Sequence, residues 1–184
     1  MKIRLTTRDA ILESAFQLYK ETPTASLADI AEYAGIGRAT LHRHFSSRND
    51  LLIELAKVAI IELDTAAETA AVDAKSYTEA LMLIMLAIIP LADRQWFLSN
   101  EAVENNPVIL KEYQRQTREM NELIEQAKKE GGFDKAIPTT WISQSFDGLL
   151  FAAWEMIRNG DATVKQASEL AWNTLLKGTG GSNE

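Results

Sequence analysis

The chain has 184 residues, 46% of them apolar, which is enough for a sizeable core, and a formal net charge of −7. It has no cysteine and only two histidines, His42 and His44, so disulfides, thiolate metal sites and a histidine-based catalytic triad elsewhere in the chain are excluded. Two positions apart on a helix, the histidines diverge and cannot chelate one ion together. The charge is unevenly divided. Residues 1–50 carry seven Lys/Arg and six Asp/Glu, net +1, and the remainder carries twelve and twenty, net −8. A near-neutral head on an acidic body argues against unspecific coating of nucleic acid, which needs a strong overall positive field. The longest apolar run, 80–92, is too short to cross a bilayer and contains Pro90. The first nine residues hold no uninterrupted apolar core and no small-residue cleavage site, so the expectation is a cytoplasmic protein with no membrane partner.

In chain order, the pattern is helical nearly throughout. Thr6 caps a first helix with Asp9 at its third position, and Ile11, Leu12, Ala15, Phe16 and Tyr19 form its apolar stripe. Pro23 ends the loop that follows. Ser26 and Asp29 form a second capping pair, opening a short helix with Ile30, Ala31 and Ala34 on its apolar side. Gly35 supplies the left-handed backbone of a tight turn into a third helix, whose Ile36 and Leu41 point back at the second. Ser47 caps a long fourth helix that runs without a breaker toward Val72 and so links the two ends of the molecule. Ser76 to Glu79 opens a very apolar helix that stops or kinks before Pro90. A short helix is expected over 94–101. Asn106-Pro107 opens an amphipathic helix that Gly131-Gly132 ends. Further helices span 139–158 and about 162–177, followed by a loose tail, 179–184.

The second and third helices carry the chemistry. The outward side of the third holds Arg38, Thr40, His42 and Arg43. A short helix pair with a glycine turn and a polar, basic second helix is the layout of a DNA-reading helix-turn-helix. The run from Gly35 to Leu51 resembles the N-terminal signature of TetR/AcrR transcriptional regulators. It matches that signature at Gly35, Thr40, Phe45, Ser47 and Leu51 and is conservative at Arg38, Ala39 and Arg48. It departs at Gly37, which loses a capping hydroxyl, at His42, where the family has tyrosine, and at Asn49.

The resemblance implies an all-α fold of about nine helices. An N-terminal helix-turn-helix domain, 1–47, would precede a helical ligand-binding and dimerisation domain, 48–178. It implies operator DNA as partner, read by Arg38, Ala39, Thr40, His42, Arg43, His44 and Arg48, with Arg48 on a phosphate. Arg4 and Arg8 are further backbone-contact candidates. It implies no catalytic residue, metal or cofactor.

The last two helices are apolar on more than one face, so each must bury more than one. Ile142, Phe146, Leu149, Ala153, Val164, Ala171 and Leu175 are the expected homodimer interface, as in a family that dimerises through its last two helices. Met85, Trp96, Phe97, Met120, Trp141 and Trp154 are the expected walls of a pocket for a small, largely apolar effector of unidentified structure, with Gln144, Asn121 and Glu155 as polar groups. Two other readings stay open here. A helical enzyme using carboxylates finds no support in a Glu-x-x-His pair, since neither histidine has one. A protein-interaction module without DNA binding is opposed by the basic third helix.

Overall fold

Hydroxyl and amide side chains start several of the helices where the sequence places them. The Thr6 and Ser26 hydroxyls accept from the backbone N–H groups of Asp9 (3.2 Å) and Asp29 (3.3 Å), and each aspartate accepts in return from the capping residue's backbone. The computed structural model of the protein describes residues 6–91, 94, 97–98 and 105–181. Within them run α1 (Thr7–Glu21), α2 (Leu27–Tyr33), α3 (Arg38–His44), α4 (Arg48–Ala71) and α5 (Tyr77–Ile88). A single 3-10 turn, Ile89–Leu91, carries the chain past Pro90. There follow α6 (Pro107–Lys129), α7 (Thr139–Asn159) and α8 (Val164–Thr179). Of the expected 94–101 helix, Arg94, Phe97 and Leu98 are described and helical; the rest, with Trp96, lies outside the described residues.

The α2–α3 turn shows why glycine stands at position 35. Its φ is +66°, a region costly for any residue with a Cβ. The Gly35 N–H donates to the Glu32 carbonyl (3.0 Å) and the Ile36 N–H to that of Ala31 (2.9 Å), so the last orphan carbonyls of α2 are satisfied within the turn. α3 begins on Gly37, with no side-chain cap, as the sequence departure there implies.

Two apolar clusters form. The first joins α1, α2 and α3 to Phe45 and to α4 as far as Leu63 (Leu51, Leu55, Ala59 and Leu63 among others), and it also takes in Phe97, Leu98 and Ile109 from further along the chain. The second joins α5, α6, α7 and α8 around Leu81, Met85, Ile124, Phe146 and Leu175. α4 thus belongs to the head by its N-terminal half and reaches the body by its C-terminal half, where Ala67 and Ala71 pack on the second cluster. The start of the expected loose tail is tied down: the Asp134 N–H donates to the Thr179 carbonyl (2.8 Å), and Gly180 pairs with Phe133. Residues 182–184 lie outside the described residues. No helix among the described residues is long and apolar enough to cross a membrane.

Candidate DNA-reading face and effector cavity

α3 is short, and only Leu41 on it is buried. That one anchor leaves Arg38, Ala39, His42, Arg43 and His44 exposed and Thr40 half-exposed, a continuous polar and basic surface on a helix fixed at both ends. The Arg43 guanidinium donates to Thr40 Oγ1 (3.3 Å), which pre-sets both side chains on one outward strip. Six of the seven residues expected to meet DNA therefore stand together on the surface.

Arg48 does not join them. Its Nε donates to the Ala25 carbonyl (3.0 Å), its Nη2 to the Pro23 carbonyl (3.0 Å), and its guanidinium lies 5.3 Å from the centroid of the Tyr19 ring. The side chain clamps the α1–α2 loop onto α4, with Nε and Nη2 each donating to a loop carbonyl. Arg8 is likewise engaged, paired with Glu54 and stacked 5.4 Å from the Phe45 centroid; Arg4 lies outside the described residues.

Between α4, α5, α6 and α7 lies a cavity of about 360 Å³. This is within the range of small-molecule sites. Its apolar walls are Leu63, Ala67 and Ala71 of α4, Ile84 and Ile88 of α5, Tyr113, Met120 and Leu123 of α6, and Phe146 and Leu150 of α7. Its polar groups include four carboxylates, Asp64, Glu68, Glu119 and Asp147, beside Arg115, Gln116, Thr117, Ser143 and Gln144. Arg115 is held charged by hydrogen bonds to Glu112 (2.9 Å), Glu119 (2.7 Å) and Asp64, and it ties α6 to α4 while neutralising two of the cavity's acids. Glu68 and Asp147 have no ion pair among the described residues. Water reaches Asp147 from the cavity, but the surrounding wall strips enough hydration to push its carboxyl up to about 6 from 3.8.

The aromatic residues expected to line this space mostly lie elsewhere. Met120 does line it. Met85 is fully buried in the body core, and Phe97 is packed in the head core. Trp141 stands on the outer surface, 64% exposed. Trp154 is buried beside Phe151 (6.0 Å) and under Arg158 (4.9 Å), away from the cavity lining. Trp96 lies outside the described residues. Gln144 is in the wall, whereas Asn121 and Glu155 are not. Missed from sequence were Asp147 and the α4 wall. The breaker-free run of α4 into the body was the available signal for the last.

The surface set aside for a partner subunit also moves. Ile142, Phe146, Ala153, Ala171 and Leu175 are buried inside the protomer's own core and cannot be offered to a second chain. Leu149 is half-buried and Val164 exposed. What α7 turns outward is the stripe Trp141, Gly148, Ala152 and Asn159, flanked by Phe151; α8 turns outward Gln166, Leu170, Asn173 and Lys177. A Cβ at Gly148 would meet nothing within 4 Å. The glycine leaves a shallow place on an exposed helix rather than serving an internal contact.

A three-helix DNA-reading head joined by one long helix to a helical body with an internal cavity defines a class, the one-component ligand-responsive regulators of transcription. Residues 11–55 match the profile of bacterial regulatory proteins of the tetR family. The head is thus similar to the DNA-binding domain of that family, and the chain is similar over most of its length to regulators of transcription. It is 29% identical over 155 residues to the HTH-type transcriptional repressor LfrR of Mycolicibacterium smegmatis, covering 84% of this chain and 80% of that one. The crystal structure of LfrR in complex with proflavine superposes with a TM-score of 0.75 at 27% identity, covering 92% of this chain and 94% of that one. The ketosteroid regulator KstR2 of Mycobacterium tuberculosis shares the fold at 18% identity, with a TM-score of 0.78 and 98% of each chain covered. Regulators of this family bind operator DNA, typically as dimers, and answer to small-molecule effectors.

Proposed function

We propose that the protein is a cytoplasmic homodimeric repressor that leaves a pseudo-palindromic operator when a flat, largely apolar cation enters the cavity of each subunit. The observation that carries this is the cavity's composition. Its walls are aliphatic and aromatic, yet Glu68 and Asp147 stand in them without a basic partner among the described residues. Carboxylates in an apolar wall favour a hydrophobic ligand with a positive charge over a neutral or anionic one, because the ligand replaces the missing counter-charge. The resemblance to LfrR, whose structure holds the aromatic cation proflavine, supports the same class.

α4 makes one wall of the cavity and opens at Arg48, directly after the helix-turn-helix. A ligand that prefers one tilt of α4 resets the spacing of the two heads in the dimer. By linkage it binds free protein more tightly than DNA-bound protein, by the factor by which it weakens operator binding. The dimer is proposed to form across the outward stripes of α7 and α8, with Gly148 at the close approach and Phe151 and Leu170 as the apolar contacts. Such a face is self-complementary, and its twofold axis imposes the same symmetry on the operator half-sites.

Proflavine titrated against the free protein, followed by its own fluorescence, tests the ligand class. Saturable binding that Asp147→Asn weakens by about tenfold, roughly 1.4 kcal/mol, is expected. Undiminished binding to that variant contradicts the role of the carboxylate.

A further inference from the structure

We propose that Tyr113 is the positioning residue through which an occupied cavity acts on the head. This inference rests on the reading of the cavity as the effector site. The Tyr113 ring forms part of the cavity wall, and its hydroxyl donates to the Leu98 carbonyl (2.7 Å). Leu98 and Phe97 come from the chain between α5 and α6, yet both are buried in the head core. Phe97 sets its ring edge-on to Phe16 of α1 (5.5 Å between centroids, 75° between planes) and tilted against Tyr19 (6.1 Å). Arg94, one turn earlier, stacks 4.1 Å from the Phe16 centroid and bonds to Glu62 of α4 (2.7 Å). Tyr19 in turn lies under Arg48, the clamp on the carbonyls of Pro23 and Ala25 just before α2.

The bond from Tyr113 to Leu98 therefore connects the cavity wall to a packed aromatic chain that ends at the entrance of the helix-turn-helix. Close-packed side chains pass on a displacement because they do not compress, and a chain of them can shift as a unit. A ligand that turns the Tyr113 ring moves the Leu98 backbone, and with it the Phe97 ring packed on Phe16 and Tyr19 of α1. This route is separate from the tilt of α4 itself. α4 meets the ligand through Leu63, Asp64 and Ala67, and Tyr113 on α6 meets it from another wall.

The experiment measures operator affinity, with and without saturating proflavine, for the wild type and for Tyr113→Phe, with unfolding midpoints as controls. For the wild type, the ligand is expected to weaken operator binding by at least about tenfold. Tyr113→Phe, which keeps the ring in the wall and removes only the hydroxyl bonded to Leu98, is expected to lose most of that factor when the variant is itself saturated with proflavine. A merely structural role would lower the midpoint and leave the ratio unchanged, and an unchanged ratio overturns the proposal. So does loss of proflavine binding in Tyr113→Phe, since the tyrosine would then be a ligand contact. A second pair of variants needs no ligand. Leu123→Trp fills the cavity from α6 and should weaken operator binding in the Tyr113 background but not together with Tyr113→Phe. If proflavine leaves the wild type unaffected, the ligand class proposed above is wrong and this pair decides the role of Tyr113; equal weakening in both backgrounds overturns it.

Discussion

Arg48 marks the difference between a residue's type and its work. As a basic side chain at the head of α4 it matches a phosphate contact, but the carbonyls of Pro23 and Ala25 and the Tyr19 ring take up its guanidinium. Arg48→Ala leaves those carbonyls short of a donor and is expected to lower stability by about 1–3 kcal/mol. Urea unfolding measures that loss. Arg38→Ala and Thr40→Ala should behave in the opposite way. Their side chains stand on an exposed face, so thermal midpoints should hold while affinity for the operator falls by about 1–3 kcal/mol for a lost base contact. Competition between operator and scrambled duplexes separates the two. Asp147 gives a pH signature. A carboxyl whose folded pKa of about 6 lies above its usual 3.8 holds its proton more tightly when folded. Its contribution to stability therefore falls as pH rises from about 4 to about 6, and the cost is constant above that. Asp147→Asn should raise the unfolding midpoint near pH 7.5 and leave it unchanged below about pH 4. Because the carboxyl is reached by water, the gain should be no more than about 1 kcal/mol. Cation binding by the wild type should strengthen over the same pH interval, as the charge appears.

At the scale of elements, much was legible because local signals and tertiary packing agree. Thr6 with Asp9, Ser26 with Asp29, Gly35 and Asn106-Pro107 each mark a boundary by a local bond that needs no partner element. Gly35→Ala places a Cβ in the left-handed region and should cost about 1–2 kcal/mol. The same substitution at Gly148, where a Cβ meets nothing, should leave the protomer unharmed. What the sequence hid was the direction of broad apolar surfaces. α7 is apolar over most of its circumference, and periodicity cannot say which side meets the core, the cavity or solvent. Phe146, expected at an interface, lines the cavity, whereas Trp141, expected in the cavity, faces outward. The acidic cavity residues hid for a related reason. In a helix pattern, Asp147 and Glu68 read as an ordinary solvated face, and both are exposed; it is the cavity beside them that gives them a second reading. The outward stripe makes its own prediction. Phe151, 57% exposed, and Leu170, 52% exposed, should be needed for assembly rather than for folding. Phe151→Glu should give a folded monomer by sedimentation, and a dimer of normal stability would contradict the proposed face.

For the molecule as a whole, the division of charge acquires a mechanical meaning. The nearly neutral head presents basic groups on one face only, while the acidic body keeps the rest of the protein away from the DNA backbone. Head and body are not independent, because Phe97, Leu98 and Ile109 from beyond α5 complete the head core and α4 passes through both clusters. A ligand held in the body therefore acts on elements that share packing with the recognition helix, and a reciprocal linkage between cavity and DNA follows. The most direct measurement is binding of the protein to the DNA flanking its own gene at fixed salt, with and without proflavine, against an unrelated duplex of equal length. The expected result is binding at least about a thousandfold tighter than to the unrelated duplex, weakened at least about tenfold by the ligand. Equal affinity for both duplexes, untouched by the ligand, would contradict it.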